Sequence, residues 1–465
     1  MRTRALASWL SLVGVLGAAG APESIAGQDS HYWAEQYGTR ATLLGGAMIG
    51  SVSDLSAVYY NPGALALIGD QGFILSARAN RFGKLTIEDG AGPGRDLASS
   101  TSGPLPTMLA GAIRFDWLGK SHLAYSVLSR NQFNASLATT LIEQRDVLVA
   151  PGDEDVASAF TANATLSETW AGLAWGYPLS DQVGIGLTQF FATRQQSFES
   201  TLLAQAATTA GDVSIGTRLR RRSFTHYRAL WKFGLGIDLG AVTMGFNVTS
   251  PSVSLGGSGA STYNSSIAGL DIDGDGTDDP LLASDIQADV SATFKSPLSI
   301  GLGAAYGFGD SRLHVSAEWF AAQSQFTALD TDAFTAQTPA EQVENDLTGE
   351  FATVLNWGVG IEHTLSERAS LYASYSLDRS AVASDAESDL VLTEYDIDRF
   401  GGGASFVLRD TEIMLGVIWS GGSDTFPRLV DFDNLDVREE ILAGTEEVGL
   451  RFSQWTVVFG FELGT

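Results

Sequence analysis

A membrane-crossing, closed antiparallel β-barrel of fourteen strands is the fold class the sequence predicts, and three observations predict it. The first is a residue period of two. In residues 298–308, Leu298, Ile300, Leu302, Ala304, Tyr306 and Phe308 fall on one face. Ser299, Gly301, Gly303, Ala305 and Gly307 fall on the other. Only a strand sorts residues this way, and an apolar face opposite a small, polar one suits a barrel with lipid outside and a wet lumen. The second is a strict alternation of long and short connections. The third is an N-terminal export pattern on a chain without a run of 18 apolar residues downstream, which excludes spanning helices and leaves the closed barrel.

The period recurs near 72–87, 104–117, 121–137, 159–177, 182–199, 222–239, 241–250, 286–308, 311–325, 349–364, 368–379, 393–408, 411–421 and 446–464. Tight turns are expected at Leu118-Gly119-Lys120, Pro178–Asp181, Leu239-Gly240, Gly309-Asp310, Ser366-Glu367 and Arg409-Asp410. Between them come long connections near 88–103, 138–158, 200–221, 251–285, 326–348, 380–392 and 422–445. The strand number is therefore even, with both ends of the barrel on the short-turn side, the periplasmic side of outer-membrane barrels. Facing follows from the period. Phe233, Leu235, Ile237 and Leu239 point out, opposite Lys232, Gly234, Gly236 and Asp238. Trp357, Val359 and Ile361 point out, with Asn356 and Glu362 inside. Trp455, Val457, Phe459 and Phe461 point out, with Thr456, Gly460 and Glu462 inside. Trp117, Tyr177, Phe308 and Trp319 near strand ends suit aromatic belts.

Composition agrees. Charged residues make up 17% of the 465, against roughly 25% in soluble proteins, yet the net charge is -27. Both hold if acid is confined to water-facing loops, and it clusters at Asp153–Asp155, Asp271–Asp279, Asp330–Glu350, Asp385–Asp398 and Asp431–Glu447. Such acidity argues against a nucleic-acid partner. The absence of cysteine excludes disulfides, thiol catalysis and a lipoprotein anchor. Met1–Arg4 is basic, Ala5–Ala21 apolar, and Ser24-Ile25-Ala26 offers a cleavage site. Residues 1–26 therefore read as a cleaved signal peptide. An outer-membrane location with both termini periplasmic is the expectation.

Residues 27–71 do not read as a strand. They hold Gly45-Gly46-Ala47, Asp54-x-Ser56-Ala57 and Asn61-Pro62-Gly63. Pro62 forces Asn61 into an extended conformation, and a fourteen-stranded lumen is wide enough for a plug. These motifs, with the signal peptide and strand count, resemble the FadL-type transporters of long-chain fatty acids and aromatic hydrocarbons. The family usually has Asn-Pro-Ala where this chain has Asn61-Pro62-Gly63. The resemblance implies that 27–71 is a hatch inside the 72–465 barrel. It further implies that hydrophobic small molecules are captured by outer loops, bound in the lumen and released by hatch movement or through the wall. Alternatives are a barrel serving protein secretion in the same fold family and a general porin.

Candidate residues follow. Connections 138–158 and 200–221 are the expected capture groove, with Phe160, Phe190, Phe191, Phe198, Leu202 and Leu203 along the path. Arg114, Arg130 and Lys232 fall on inward faces, where they can hold a carboxylate or pair with inward Asp116, Asp238 and Glu362. Asp271, Asp273, Asp275, Thr277 and Asp279, with Gly276, match the first nine positions of a calcium loop, although Leu282 stands where a glutamate is expected. A structural calcium ion there would order the loop, and no cofactor is otherwise required. Arg218, Arg220, Arg221 and Arg222 are candidates for lipopolysaccharide phosphates. The five histidines show no ligand spacing, and neither Gly-x-Ser-x-Gly nor His-Glu-x-x-His occurs. The expected molecule is a monomeric, non-enzymatic barrel.

Overall fold

The computed structural model describes residues 30–463, apart from 69–72, 116, 118, 146–151, 270–276, 279, 383–393, 409–410 and 428–446. Consecutive antiparallel pairing builds the wall. Its first six strands are β1 (Phe73–Ile87), β2 (Leu97–Ile113), β3 (His122–Arg145), β4 (Glu154–Ser180), β5 (Val183–Ala207) and β6 (Val213–Asp238). Four interrupted strands follow. They are β7 (Val242–Thr249 and Val253–Ala268), β8 (Leu281–Ala292 and Ser299–Phe308), β9 (Ser311–Phe320 and Gln323–Asp330) and β10 (Leu347–Phe351 and Val354–Ser366). Then come β11 (Ala369–Asp378), β12 (Ile397–Leu408), β13 (Thr411–Pro427) and β14 (Glu447–Leu463). The eighteen segments of the sheet, four pairs of which each form one interrupted strand, make fourteen. β14 pairs with β1, so the ring of strands closes.

The strand count and turn sides match the sequence reading, but three connections do not. β3 to β6 are far longer than the ~9–11 residues a bilayer needs. The ladder between β4 and β5 runs from Ser180↔Val183 to Asp155↔Ala207. Most of 138–158 and 200–221 is therefore strand, as is much of 251–285. The reason is cross-strand pairing: an Ala/Ser/Thr-rich hairpin with little outward apolar signal still satisfies every backbone group by continuing the ladder.

In the lower part of the wall the outer face is exposed and apolar. Ile300, Leu302, Tyr306 and Phe308 point out and are exposed, while Ser299 and Ala305 are buried on the inner face. Phe233, Leu239, Trp357, Ile361, Trp455, Val457 and Phe459 are exposed as expected. The side chains of Phe461 and Glu462 lie outside the described residues. Stacked pairs Phe115–Trp117, Trp175–Tyr177 and Tyr306–Phe308 mark the short-turn rim. Trp357, Tyr375, Phe400 and Trp419 form a second row higher up. Two aromatic rows bounding an apolar band are what a bilayer requires of a barrel.

Residues 30–68 occupy the lumen. They hold two short helices, α1 (Thr39–Leu43) and α2 (Ala57–Tyr60), and a 3₁₀ turn at Ala64–Ala66. The segment touches wall strands all around the ring, which is possible only from inside. Glu35 pairs with Arg81 of β1 at 2.5 Å, and Arg40 with Glu362 of β10 at 2.6 Å. The Tyr37 hydroxyl donates to the Ser129 carbonyl of β3, and Thr188 of β5 donates to the Val58 carbonyl. Asn247 of β7 donates to the Tyr60 carbonyl, and the Ile49 amide to Ser316 of β9. The small inner face permits this: a Cβ built on Gly245 would lie 1.9 Å from the Ile49 carbonyl oxygen. On β8, Gly303 meets the backbone of Gly50 in the same way.

Two stretches of wall lack register pairing. β2 pairs with β3 only over Met108–Ile113 against Leu123–Leu128, although β2 continues along β1 up to Leu97. Pro104 and Pro106 have no N–H to donate, and proline is tolerated only where a strand has an edge. The second stretch lies where β7 to β10 are interrupted, at Pro251 and Pro297 among others.

Candidate functional site

The site is a buried chamber of charge between the luminal segment and the wall. Arg130 enters it from a bulge in β3, where the register with β4 slips between Ser129 and Asn131. The slip turns Arg130 inward, where it is buried. Its guanidinium lies over the Tyr59 ring at 5.6 Å and the Trp170 ring at 5.3 Å, and donates to the Tyr32 carbonyl. Its Nη1 has no hydrogen-bond partner among the described residues. Lys232 of β6 reaches the same space, with Nζ 3.7 Å from Glu318 and 4.5 Å from the Tyr59 ring centre.

Two carboxylates organise the cations. Glu168 of β4 accepts from Arg194 at 3.1 Å, Arg228 at 2.5 Å and the Trp170 indole at 2.6 Å. Glu318 of β9 accepts from the Trp33 indole at 2.9 Å and from Ser299 at 2.7 Å. Together these groups line a cavity of about 60 Å³, and among its described lining residues the cations Arg130, Arg194, Arg228 and Lys232 stand against the carboxylates of Glu168 and Glu318. Its lining thus carries two excess positive charges. A buried charge without a counter-ion is expensive, so this cavity favours an anion. Tyr32, Tyr59, Leu230, Phe294, Pro297 and Phe320 supply an apolar remainder.

Above the cavity the lumen turns apolar. Phe133, Leu137, Leu141, Val156, Phe160, Ala162, Leu166 and Leu202 form one buried cluster with Tyr395, Ile397 and Phe452. An open groove of about 590 Å³ runs across β3 to β7, with Gln132, Asn134, Ser167, Gln195 and Thr225 as well as Phe133 and Phe224 in its lining. Arg194 donates to Gln196 at 2.8 and 3.1 Å.

The luminal segment is pinned here by its own start. His31 Nε2 bonds the Tyr395 carbonyl at 2.9 Å, so Nε2 carries the proton, and Ser30 Oγ lies 3.2 Å from Nδ1. Ala381 donates its amide to the Ser30 carbonyl, and Ser380 its hydroxyl to Ser30. The Trp33 amide donates to Asp378, which also accepts from Asn356 and Arg399. Ser30 therefore sits on the long-connection side of β11, whereas β1 is entered from the short-turn side. Burial lowers the pKa of His31, with Asp378 opposing. Burial raises that of Asp54, against hydrogen bonds from Ser56.

The sequence-predicted residues separate into groups. Gly45 and Gly46 adopt positive φ at the end of α1, and Ala47 is buried beside them. Asn61 donates to the Ile49 and Leu235 carbonyls and accepts from the Gly63 amide. Pro62 and Gly63 lie against Gly184, Gly186 and Gly234 of the wall, where a side chain on residue 63 would collide. That close approach gives a physical reason for Gly63 in this chain. Arg130 and Lys232 do come together. Arg114 is exposed beyond the end of β2, away from them. Phe160, Phe190 and Leu202 are buried on the inner face and Phe198 packs beside them. Phe191 is 54% exposed on the outer face, and Leu203, one residue from inward Leu202, also points outward. Both leave the path. The arginine cluster splits by the same parity. Arg222 bonds Asn345 and Arg220 stacks on Tyr263, both inward with Arg218, whereas Arg221 points out beside Glu199 at 3.7 Å. The four do not form one outer patch. Of the calcium-loop residues, Asp271, Asp273, Asp275 and Asp279 lie outside the described residues. Glu168, Glu318, Arg194 and Arg228 were missed. Their signal was present: charge at inward parity inside otherwise apolar strands.

A closed fourteen-stranded barrel with an occupied lumen and a buried, polar cavity defines the architectural class. Solved structures place the fold within it. A FadL homologue from Pseudomonas aeruginosa matches with TM-score 0.59 at 13% identity, over 93% of this chain and 99% of that one. The P. putida toluene transporter TodX matches with TM-score 0.55 at 15% identity, over 93% and 99%. The Ralstonia pickettii toluene transporter TbuX matches with TM-score 0.50 at 12% identity, over 93% and 100%. No protein-family model matches the sequence, and no match was found among curated proteins.

Proposed function

We propose that this barrel carries hydrophobic small molecules across a bacterial outer membrane by passive diffusion, with residues 30–68 as the hatch. One observation carries the reading. The lumen is apolar in its upper part and narrows onto a buried cavity with excess positive charge. A water-filled porin has no use for an apolar throat. A long-chain carboxylic acid matches both parts: its chain suits Phe133, Phe160, Leu166 and Leu202, and its carboxylate suits Arg130 and Lys232. The orphaned Arg130 Nη1 supports the second half. Uncharged hydrocarbons would use the same throat without the cation contacts. The long connections then face the cell exterior and the tight turns the periplasm. The unpaired wall between β2 and β3, beside Arg130, supports sideways release into the outer leaflet.

Native mass spectrometry on the purified barrel and single-channel recording test this. A co-purifying fatty acid or similar amphiphile and low, intermittent conductance are expected. Arg130→Gln should weaken oleate binding about tenfold while leaving toluene binding within twofold. Deleting residues 30–60 should give large, steady conductance. Large steady conductance in the intact protein, with no bound ligand, overturns the reading.

A further inference from the structure

We propose that residues 293–298 of β8 are a shutter in the barrel wall, opening a second lateral path between the charged cavity and the outer leaflet. The inference rests on the transport reading above and adds an opening that reading does not use. Between β7 and β8 the register runs up to Thr249↔Ser299 and resumes at Ser258↔Ser291. Between β8 and β9 it stops at Ser299↔Phe320 and resumes at Ala292↔Leu329. The strap Thr293-Phe294-Lys295-Ser296-Pro297-Leu298 is thus out of register with both neighbours at once. Single bonds tack it down: Ser252 N to the Ser296 carbonyl, Ser296 N to Ser252 Oγ, Thr293 N to the Ala328 carbonyl, and Ala321 N to the Leu298 carbonyl. Pro297 cannot donate, and Pro251 interrupts β7 at the same level. Both interruptions have a cause in the sequence.

The strap is also the partition. On its inner side Phe294, Ser296 and Pro297 line the charged cavity. Arg194 lies 3.8 Å above the Phe294 ring, and Arg228 donates to Ser296 at 2.8 Å. Phe294 meets Phe326 and Phe351 edge-on, giving an aromatic latch without hydrogen bonds of its own. On the outer side the flanks are exposed and apolar: Val253 and Leu255 on β7, Trp319 on β9, Leu355 on β10. The strap's own outward residue is the exposed Lys295, with Nζ 5.1 Å from the Phe326 ring centre, so the opening would meet lipid near the headgroups, where a lysine reaches water. Moving the strap costs few backbone bonds, whereas the β8 ladder below it, from Ser299 to Tyr306, is paired on both sides. The molecule that fits is a single apolar chain or one aromatic ring, passing between Phe294, Phe326 and Phe351.

A disulfide lock tests it, because the chain has no cysteine of its own. Ser252→Cys with Ser296→Cys ties the strap to β7, and Ser99→Cys with Ser136→Cys ties β2 to β3, where Ser136 N donates to Ser99 Oγ. Uptake of radiolabelled oleate and toluene is measured in a host lacking its own transporter, oxidised and then reduced. Expected is at least a threefold loss of initial uptake in the oxidised strap lock relative to the same double variant reduced, and vector-level uptake with both locks closed. Phe294→Ala, which loosens the latch without a cross-link, should raise toluene uptake at least twofold. Unchanged uptake with the strap locked, alone and together with the β2–β3 lock, overturns the shutter and leaves the transport reading standing. Wild-type uptake no greater than the vector's overturns both.

Discussion

Within β4, the two halves of one strand carry opposite polarity. Below Glu168 the outward residues Leu173, Trp175 and Tyr177 are exposed and apolar, and the inward Gly172, Ala174 and Gly176 are small. Above it the outward Thr161, Asn163 and Thr165 are polar, and the inward Val156, Phe160, Ala162 and Leu166 are buried and apolar. The backbone period and the ladder with β5 do not change between them; only the register with β3 slips, at the Arg130 bulge opposite Glu168. What changes is the solvent: hydrocarbon outside the lower half, water outside the upper. An apolar interior above a charged one is the contrast on which the proposed transport reading rests. Glu168 stands at the switch and joins strands β4, β5 and β6 through Arg194 and Arg228.

Removing the switch should have the largest effect. Glu168→Leu leaves two buried guanidiniums without their shared carboxylate, a change that costs about 3–5 kcal/mol. Denaturant unfolding from lipid vesicles would show this, and a loss under 1 kcal/mol would mean that the cluster is not the joint between the halves. The comparison itself is tested by placing one charge on each outer surface. Leu302→Arg, between the two aromatic rows, should cost about 2–4 kcal/mol. Thr161→Arg should stay within about 0.5 kcal/mol, as an ordinary surface change does. Equal costs would show that lipid reaches as far up as Thr161.

That contrast also explains what could be read from the sequence. The lower wall was legible because large outward residues alternate with glycine and serine, as at Ile300 and Gly301. The upper hairpins read as loops in the sequence because Ala157, Ala159, Ser200 and Ala204 blur the period, and the outward side there has no apolar need. Parity was still available, and it would have sent Phe191 and Leu203 outward and Arg218, Arg220 and Arg222 inward. The pairing of Glu168 with Arg194 depends on register. The turn at 181–182 sets that register, but a bulge beside Pro178 shifts it by one. Such a bulge is invisible to pattern counting. The site needed a third ingredient, the luminal segment, whose Trp33 and Tyr59 find Glu318 and Lys232 from hundreds of residues away.

The smallest expected effect concerns the pin that joins the luminal segment to the upper wall. His31 is held neutral by burial, with Asp378 and Asp396 opposing and Arg399 assisting. Its folded-state pKa lies below the unfolded value of about 6.5. The unfolded or undocked form therefore binds the proton more tightly, and the docked form loses stability as the pH falls from about 6.5 through the folded value. Protonation also puts a second donor on Nδ1, where the neutral ring accepts from Ser30 Oγ. Asp54 works the other way, because its raised pKa favours the docked state in acid. The net change is consequently modest and local to residues 30–33. The protection factor of the Trp33 amide, its exchange rate taken relative to the base-catalysed intrinsic rate at each pH, should fall between pH 7.5 and 5.5, while that of Ile49, bonded to Ser316, should not. His31→Gln, which keeps a donor for the Tyr395 carbonyl but cannot take up a proton, should abolish the difference. An unchanged pH response in that variant would place the sensitivity elsewhere in the lumen.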